Sequence, residues 1–190
     1  AYMLPNLLVN PGFEIWQRGI SGFSGGMFSA DEWKVLDGGG TISVQQSADH
    51  YVGTLSLRVV SYSDSTFALI AQGIENASSL EGAYLTFSAW VKCATPFTAR
   101  LHLADYDGSL SSSFSDYHSG GNNWEHLTVT RQIRSGLTAG PDANWPHAFP
   151  LRAALQLDSS TSDCYIDGAS LVIGNYPEGV PFIPLNSADD

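Results

Sequence analysis

The organisation of this chain is set near its start, by the stretch Asn6-Leu7-Leu8-Val9-Asn10-Pro11-Gly12-Phe13-Glu14-Ile15-Trp16-Gln17-Arg18-Gly19. The apolar run from Leu7 to Val9 predicts a short buried strand. Asn10-Pro11-Gly12 then predicts a turn, because proline fixes φ and glycine supplies a positive φ. Glu14 follows between two large apolar residues. We therefore expect its carboxylate to lie near the core, where it needs a cation or several hydrogen-bond donors.

A second stretch, near the end of the chain, carries a complementary carboxylate. Residues 164–171 read Cys-Tyr-Ile-Asp-Gly-Ala-Ser-Leu and predict a strand that includes Asp167. We predict that this strand lies beside the opening stretch, with Glu14 and Asp167 sharing one hard cation. The alternative is that Glu14 accepts hydrogen bonds from backbone N–H groups or from Arg18, without a metal.

Composition limits the classes of function. A chain of 190 residues is long enough for one domain with a sizeable core. The net charge is −11 with only eight lysines and arginines, which argues against duplex nucleic acid as a partner. No apolar run approaches the ~20 residues of a membrane span, so no membrane insertion is expected. Cys93 and Cys164 lie in apolar strand patterns, which favours buried thiols over a disulfide.

Alternation of apolar and polar residues recurs in about ten short segments separated by turn signals, most clearly from Tyr84 to Cys93. Such strands have one buried face and one wet face, so two sheets stacked core to core are expected. We predict an all-β, two-sheet antiparallel β-sandwich in residues 1–174. Residues 175–190 contain three prolines and predict a C-terminal extension that either leaves the domain or packs along it.

Aromatic and planar polar residues on the predicted wet faces and loops indicate a ligand surface. Flat rings pack on the CH faces of sugars, while amides and carboxylates bond to hydroxyl groups. The alternative is that each ring fills the core or covers a loop. Strand residues assigned to wet faces include Trp90, Lys92, Arg100, His102, Arg152, Gln156 and Asp158. The residues predicted to bind ligand are Trp33, Trp90, His102, Tyr106, Tyr117, Trp145, His147 and Arg152.

Catalysis is a weaker hypothesis than binding. Glycosidases need two carboxylates across a cleft, and the acids available for such a pair are Asp105, Asp107, Asp116 and Asp158. Acids scattered over the loops of an acidic protein are usually solvated, however. The sequence also contains no nucleophile elbow, zinc-type spacing or phosphate loop.

The opening stretch resembles that of domains near the C-termini of bacteriophage tail fibres and tailspikes, which begin Asn-Leu-Leu-x-Asn-x-Gly-Phe-acid-Ile-Trp-Gln-Arg-Gly. Further segments that resemble these domains are 30–35, 72–75, 85–92, 124–129, 165–171 and 179–184. The resemblance thus spans nearly the whole chain. It implies a virion protein that binds host cell-surface polysaccharide without catalysis, within a homotrimeric fibre.

Those domains are similar in turn to jelly-roll carbohydrate-binding modules of families four, nine and twenty-two. The resemblance implies a structural calcium held by the side chains of Glu14 and Asp167, with backbone carbonyls from Gly12 and the turn around Asp49. Calcium takes six to eight oxygens, which this set supplies with water. Gly168 stands where the family often has a second acid, which weakens the expected affinity.

Two other functions stay open at this stage. One is a structural tip or trimerisation domain of the fibre without a ligand of its own. The other, less favoured, is a hydrolase acting on surface polysaccharide.

Overall fold

Short strands dominate the computed structural model, which describes residues 4–63, 66–140 and 149–183. A single turn of 3-10 helix at Ala77–Leu80 lies between the fourth and fifth strands. The ten strands in this part of the chain are β1 Lys34–Asp37, β2 Thr41–Ser47, β3 Ser56–Ser63, β4 Ala68–Gly73, β5 Tyr84–Lys92, β6 Ala99–Tyr106, β7 Leu110–Phe114, β8 Trp124–Gln132, β9 Leu151–Leu157 and β10 Thr161–Ile173.

The strands form two five-stranded sheets in which every pairing is antiparallel. Sheet I has the order β2-β3-β10-β5-β8, and sheet II has the order β1-β4-β9-β6-β7. Alternate residues of every strand except β7 point into one shared apolar core. The predicted all-β, two-sheet antiparallel jelly roll is therefore confirmed. No helix in the described ranges is long and apolar enough to cross a membrane.

The opening stretch lies along β10, as predicted. The Leu7 N–H donates to the Leu171 carbonyl at 2.8 Å, and the Asn6 side chain bonds to both Ala169 and Leu171. Further along, the Ala169 N–H donates to the Pro11 carbonyl at 2.8 Å. These bonds place the two predicted segments side by side.

The expected buried strand at residues 7–9 is wrong in detail. Leu8 is buried, but Val9 is 53% exposed and the segment belongs to neither sheet. The Gln72 side chain explains this, because its amide accepts from the Val9 N–H at 2.7 Å and donates to the Val9 carbonyl at 2.8 Å. A side chain thus takes the place of a neighbouring strand at this residue.

The turn that follows does not use Gly12 for its positive φ. Asn10 and Phe13 take the left-handed conformation instead, at φ 47° and 55°. The Asn10 side chain holds this turn, because it bonds to both the N–H and the carbonyl of Ile15. A Cβ at Gly12 would lie 3.2 Å from the ring of Phe182, so a larger residue there would have to displace that ring slightly.

The polar sequence of residues 105–123 predicts a long loop, but one strand lies within it. The polar stretch 105–123 contains β7, which pairs with β6 from His102↔Phe114 to Tyr106↔Leu110. Its serine-rich sequence has little apolar alternation, so the sequence pattern did not indicate it. Cys93 and Cys164 are buried with free thiols, as the sequence favoured.

Residues 175–183 pack across the outer face of sheet I. The Tyr176 N–H donates to Thr86 Oγ1 at 3.0 Å, and the Val180 N–H donates to Ser88 Oγ at 3.2 Å. The sequence left open whether the C-terminal extension leaves the domain or packs along it. Residues 175–183 pack along it. Residues 184–190 lie outside the described part of the chain.

Candidate functional site

Glu14 holds the turn between β2 and β3. Its Oε1 accepts from the N–H groups of Thr54 at 2.6 Å and Leu55 at 3.1 Å, and its Oε2 accepts from the Thr54 hydroxyl at 2.6 Å. Burial opposes ionisation, but these bonds prevail and hold the pKa of Glu14 below its usual range. Gly53, at φ +68°, makes the approach possible, since a Cβ there would lie 2.1 Å from Glu14 Oε1.

Asp167 holds the same turn from the other side. Its Oδ2 accepts from the N–H groups of Tyr51 at 2.7 Å and Val52 at 2.8 Å, and its Oδ1 accepts from the Gly168 N–H at 2.6 Å. The side chain is fully buried. Burial raises the pKa of Asp167 to about 6, against the effect of these bonds, and the nearby Glu14 carboxylate adds to the rise. The two carboxylates therefore meet at one turn, as the sequence predicted.

The predicted metal site is matched only in part. Two carboxylates lie close together, and one of them is buried, which suits a cation. The Asp49 carboxylate is engaged elsewhere, because it accepts from Lys92 Nζ at 2.5 Å, and the Asp49 carbonyl accepts from Ser56 Oγ at 2.6 Å. The described residues include no group of three or more His, Cys, Asp or Glu side chains that could hold a metal.

In this structure Glu14 is held by hydrogen bonds, which was the alternative to a shared metal ion. Glu14 accepts from the N–H groups of Thr54 and Leu55 and from the Thr54 hydroxyl. Arg18 instead lies over the ring of Phe28, 5.0 Å from its centroid. Calcium at Glu14, Asp167, Gly12 and Asp49 stays a prediction.

Two predicted ligand-binding residues lie together on the outer face of sheet II but are buried. His102 and Arg152 are only 3% and 6% exposed. His102 Nε2 lies 2.9 Å from Ser112 Oγ on the neighbouring strand β7. This burial does not favour their predicted contact with a ligand, which stays a prediction. Alternation along a strand shows which face a residue occupies but not how far that face is covered.

The burial of His102 leads us to expect that the stability of the protein depends on pH. Burial lowers the pKa of His102 to about 3, and the cations Arg152 and Arg100 add to the effect. The imidazole is thus neutral in the folded protein but gains a proton below about pH 6.5 when unfolded. The contribution of His102 to the free energy of unfolding is therefore fully present above pH 6.5, and it is lost as the pH falls from 6.5 towards 3.

We expect His102→Gln to reduce the loss of stability between pH 7.5 and pH 4.5, measured by urea unfolding at both values. His50→Gln, at an exposed position, is the control and should leave that loss unchanged. An equal loss in His102→Gln and the parent protein would show that His102 does not cause it.

A cluster of aromatic and charged side chains lies at one end of the same outer face. We call it the Arg100 cluster, and it comprises Phe97, Arg100, Phe114, Tyr117 and Asp158. The Arg100 guanidinium carbon lies 3.8 Å from the centroid of Phe114 and 4.7 Å from that of Tyr117. Phe97 meets Tyr117 edge-on, with ring centroids 6.3 Å apart.

Asp158 fixes the polar side of the Arg100 cluster. Its Oδ2 lies 2.8 Å from Arg100 Nε and accepts from the Tyr117 hydroxyl at 2.6 Å. Its Oδ1 accepts from the Gln156 amide at 2.6 Å. The hydrogen bond to Asp158, with some burial, raises the pKa of Tyr117. Asp158 therefore holds both the Arg100 guanidinium and the Tyr117 ring in place.

The rim of the Arg100 cluster is apolar and accessible. Phe97 is 72% exposed and Phe114 is 40% exposed. Sequence reasoning selected Tyr117 from this cluster but missed both phenylalanines. Phe97 offered one signal, since it follows Pro96 in a turn, where a large apolar side chain has little core to enter. Phe114 offered none, because the strand that carries it was not predicted.

The remaining predicted ligand-binding residues are dispersed. Trp33 is fully buried, with its ring centroid 4.8 Å from that of Phe13 and its indole N–H donating to the Asn10 carbonyl. Trp33 also belongs to the core cluster, which favours the alternative of a core residue over the predicted ligand role. Trp90 lies on sheet I, and Tyr106 is half-buried on sheet II. Trp145 and His147 lie outside the described residues.

The acids considered for hydrolysis are mostly held by arginines. Asp105 is fully buried against Arg131 and Arg134, and Asp107 lies 2.8 Å from Arg134. Burial alone would raise the pKa of Asp105, but its hydrogen bonds to Arg131 and Arg134 outweigh this effect and lower the pKa. A general acid needs a raised pKa. Asp105 was wrongly grouped with solvated loop acids, and its environment does not suit it to proton donation.

Comparison with known proteins places the chain by its fold. No protein-family model matches it, and no curated protein matches it significantly. Among solved structures, an enzymatically active domain of bacteriophage CBA120 tailspike protein 4 matches with a TM-score of 0.59 and 15% identity over 89% of this chain. The match covers only 21% of that tailspike chain.

Two further structures match over nearly their whole length. The CBM22-1 xylan-binding domain of Paenibacillus barcinonensis Xyn10C has a TM-score of 0.57 and 15% identity, covering 93% of this chain and 99% of its own. A cyclase from Fischerella sp. TAU has a TM-score of 0.59 and 16% identity, covering 92% and 98%. Carbohydrate-binding modules of families 16, 22 and 61 are thus structural neighbours of this chain. At these identities the likeness establishes a shared jelly-roll fold, which carries more than one function.

Proposed function

We propose that this chain is a non-catalytic carbohydrate-binding module of a bacteriophage tail fibre or tailspike, and that it recognises a polysaccharide on the host cell surface. The observation that carries the proposal is the Arg100 cluster, which combines exposed rings with an ordered guanidinium and carboxylate. The neighbouring folds support it, since a xylan-binding domain and a module in complex with β-1,4-galactotriose are among them. The phage context is supported by the resemblance of the opening stretch and by the tailspike neighbour.

The Arg100 cluster suits a sugar ring for physical reasons. The faces of Phe97 and Phe114 can pack against the CH groups of a pyranose. Arg100 and Asp158 then offer donors and acceptors to hydroxyl groups along the same edge. Because Asp158 already fixes Arg100 and Tyr117, little side-chain entropy is lost on binding.

The proposal is tested on an array of bacterial surface polysaccharides with the wild-type protein and Phe114→Ala. We expect wild-type binding to at least one polysaccharide and binding about tenfold weaker in Phe114→Ala, the loss that corresponds to one aromatic contact. The control is Tyr84→Ala, which removes a ring of similar exposure, 44%, at the start of β5 on the other sheet. Equal binding by Phe114→Ala and the wild type would refute the assignment of the site.

The competing structural role predicts a different use of the same rings. A tip or trimerisation domain would bury Phe97 and Phe114 between subunits. In the full fibre we propose a homotrimer in which three weak sugar contacts act together and gain by avidity. Light scattering of Phe114→Ala separates the two roles, since a lower assembly mass in this variant would favour the structural one.

We also propose that Glu14 and Asp167 hold a structural calcium ion, with the Gly12 carbonyl and the turn at Asp49 completing the site. Bound calcium would offset the like charges of the two carboxylates. Binding only to the folded state stabilises it by about 2.7 kcal/mol at a hundredfold excess over Kd. The melting temperature should therefore rise with calcium and fall with EDTA.

Asp167→Asn is the control for the calcium experiment and should melt at the same temperature in both buffers. The substitution keeps an acceptor for the Tyr51 and Val52 N–H groups while removing the charge. A wild-type melting temperature that is the same in calcium and in EDTA would favour the hydrogen-bonded arrangement without metal.

A further inference from the structure

A row of four side chains crosses the outer face of sheet I. In the strand register, Arg58 of β3 lies opposite Tyr165 of β10, which lies opposite Lys92 of β5, which lies opposite Trp124 of β8. Directly opposed residues point to the same face of a sheet. At the usual spacing between strands, the row is about 14 Å long. Cations and rings alternate along it.

The cations of this row are fixed and neutralised. Lys92 Nζ lies 5.2 Å from the Tyr165 centroid and 5.9 Å from the Trp124 centroid, and it donates to Asp49. Arg58 lies over Tyr165 at 5.8 Å and forms an ion pair with Asp163. Two cations and two carboxylates leave the row without net charge. It is therefore better suited to a neutral ligand than to a polyanion.

Tyr51 adds an accessible ring beside the row. It stacks on Trp90 with centroids 3.7 Å apart and planes at 22°, and its centroid lies 6.1 Å from that of Trp124. Tyr51 is 46% exposed. Its backbone N–H is held by Asp167, so the turn carries the ring in a fixed position.

The chain covers the adjoining part of this face with its own C-terminal segment. Thr86 and Ser88 accept hydrogen bonds from Tyr176 and Val180, and the segment continues to Phe182, which packs near Gly168. The row at Arg58, Lys92 and Trp124 lies further along the same strands, and these side chains are half-buried. Tyr165, between Arg58 and Lys92, is only 8% exposed. Among the described residues, the accessible members of the row are therefore Arg58, Lys92 and Trp124.

We propose that this row, together with Tyr51, is a second saccharide-binding surface that takes a neutral, linear polysaccharide lying across the strands. The Tyr51 and Trp124 rings contact the sugar faces, while Lys92, Arg58 and their carboxylate partners bond to hydroxyl groups. The inference extends the proposed carbohydrate recognition to the opposite sheet, and it depends on different residues from the Arg100 cluster.

The test uses the full chain with its five tryptophans replaced by 5-fluorotryptophan, and neutral bacterial surface polysaccharides as probes. In 19F spectra of Phe114→Ala, we expect the resonances of Trp90 and Trp124 to shift on addition of a bound polysaccharide, while that of buried Trp33 stays unchanged. Resonances are assigned by single Trp→Phe substitutions. Unmoved Trp90 and Trp124 resonances at saturating polysaccharide would overturn the proposal.

Array binding by matched variants separates the two surfaces. Tyr51→Ala should bind at least one neutral polysaccharide several-fold more weakly, and Tyr51→Phe should retain binding because the ring remains. If Tyr51→Ala matches the wild type on every polysaccharide while Phe114→Ala does not, the second surface is wrong and the Arg100 cluster stands. The reverse pattern refutes the Arg100 cluster alone. If the wild type binds no polysaccharide, the second surface is refuted. A lower assembly mass in Tyr51→Ala also refutes it, and would assign the row to an interface between copies of the chain.

Discussion

Replacing Asp105 with alanine is expected to lower the free energy of unfolding by about 3–5 kcal/mol. Asp105 is fully buried and accepts from Arg131 Nε and Nη2, both at 2.9 Å, and from Arg134 Nε at 2.6 Å. It lies on β6 of sheet II, whereas Arg131 lies on β8 of sheet I, so the pair joins the two sheets. Without Asp105, the Arg131 charge stays buried without its partner, and its side chain is only 9% exposed.

Urea unfolding at pH 7 measures the effect of Asp105→Ala. The matched control is Asp107→Ala, which removes the other carboxylate beside Arg134 at a site where both side chains are near 30% exposed. A solvent-screened pair of this kind contributes much less to stability than a buried one. Similar small losses in the two variants would show that the ion pair between the sheets does not carry the stability assigned to it.

Trp33→Ala is expected to lower the free energy of unfolding by about 3–5 kcal/mol, the usual cost of emptying a buried indole site. The Trp33 ring packs on Phe13, and its N–H donates to the Asn10 carbonyl at 3.2 Å. The side chain thereby links the turn before β1 to the opening stretch. Trp33→Phe fills part of the indole site but leaves the Asn10 carbonyl without this donor. We therefore expect an intermediate decrease in the free energy of unfolding, about 1–3 kcal/mol.

Thermal and urea unfolding of both Trp33 variants check this prediction, and polysaccharide binding per folded molecule should stay unchanged. A variant with nearly full stability but lost binding would restore the ligand role that the sequence first suggested for Trp33.

The fold could be predicted because alternation of apolar and polar residues within each short segment indicates a strand with one buried face. Alternation along Leu85, Phe87 and Ala89 places these residues in the core, and all three are fully buried. Asp167 is fully buried, as its place in an apolar strand indicated. Glu14 is exposed, however, as is its neighbour Ile15, so large apolar neighbours in the sequence did not place this carboxylate in the core.

The candidate site was harder to predict because it depends on distant neighbours. Trp33 and Trp90 are both tryptophans near a strand, yet one is sealed beneath the opening stretch and the other lies under Tyr51. Asp105 looked like a loop acid because its partner Arg131 lies 26 residues away. Phe114 belongs to the Arg100 cluster only because β7 pairs with β6, and the serine-rich sequence of β7 does not indicate a strand.

Hydrogen–deuterium exchange with and without a bound surface polysaccharide gives the most decisive test of carbohydrate recognition by the Arg100 cluster. The proposal predicts slower exchange in residues 97–102 and 114–118 when the polysaccharide is present. Unchanged exchange in both segments at saturating polysaccharide would contradict it.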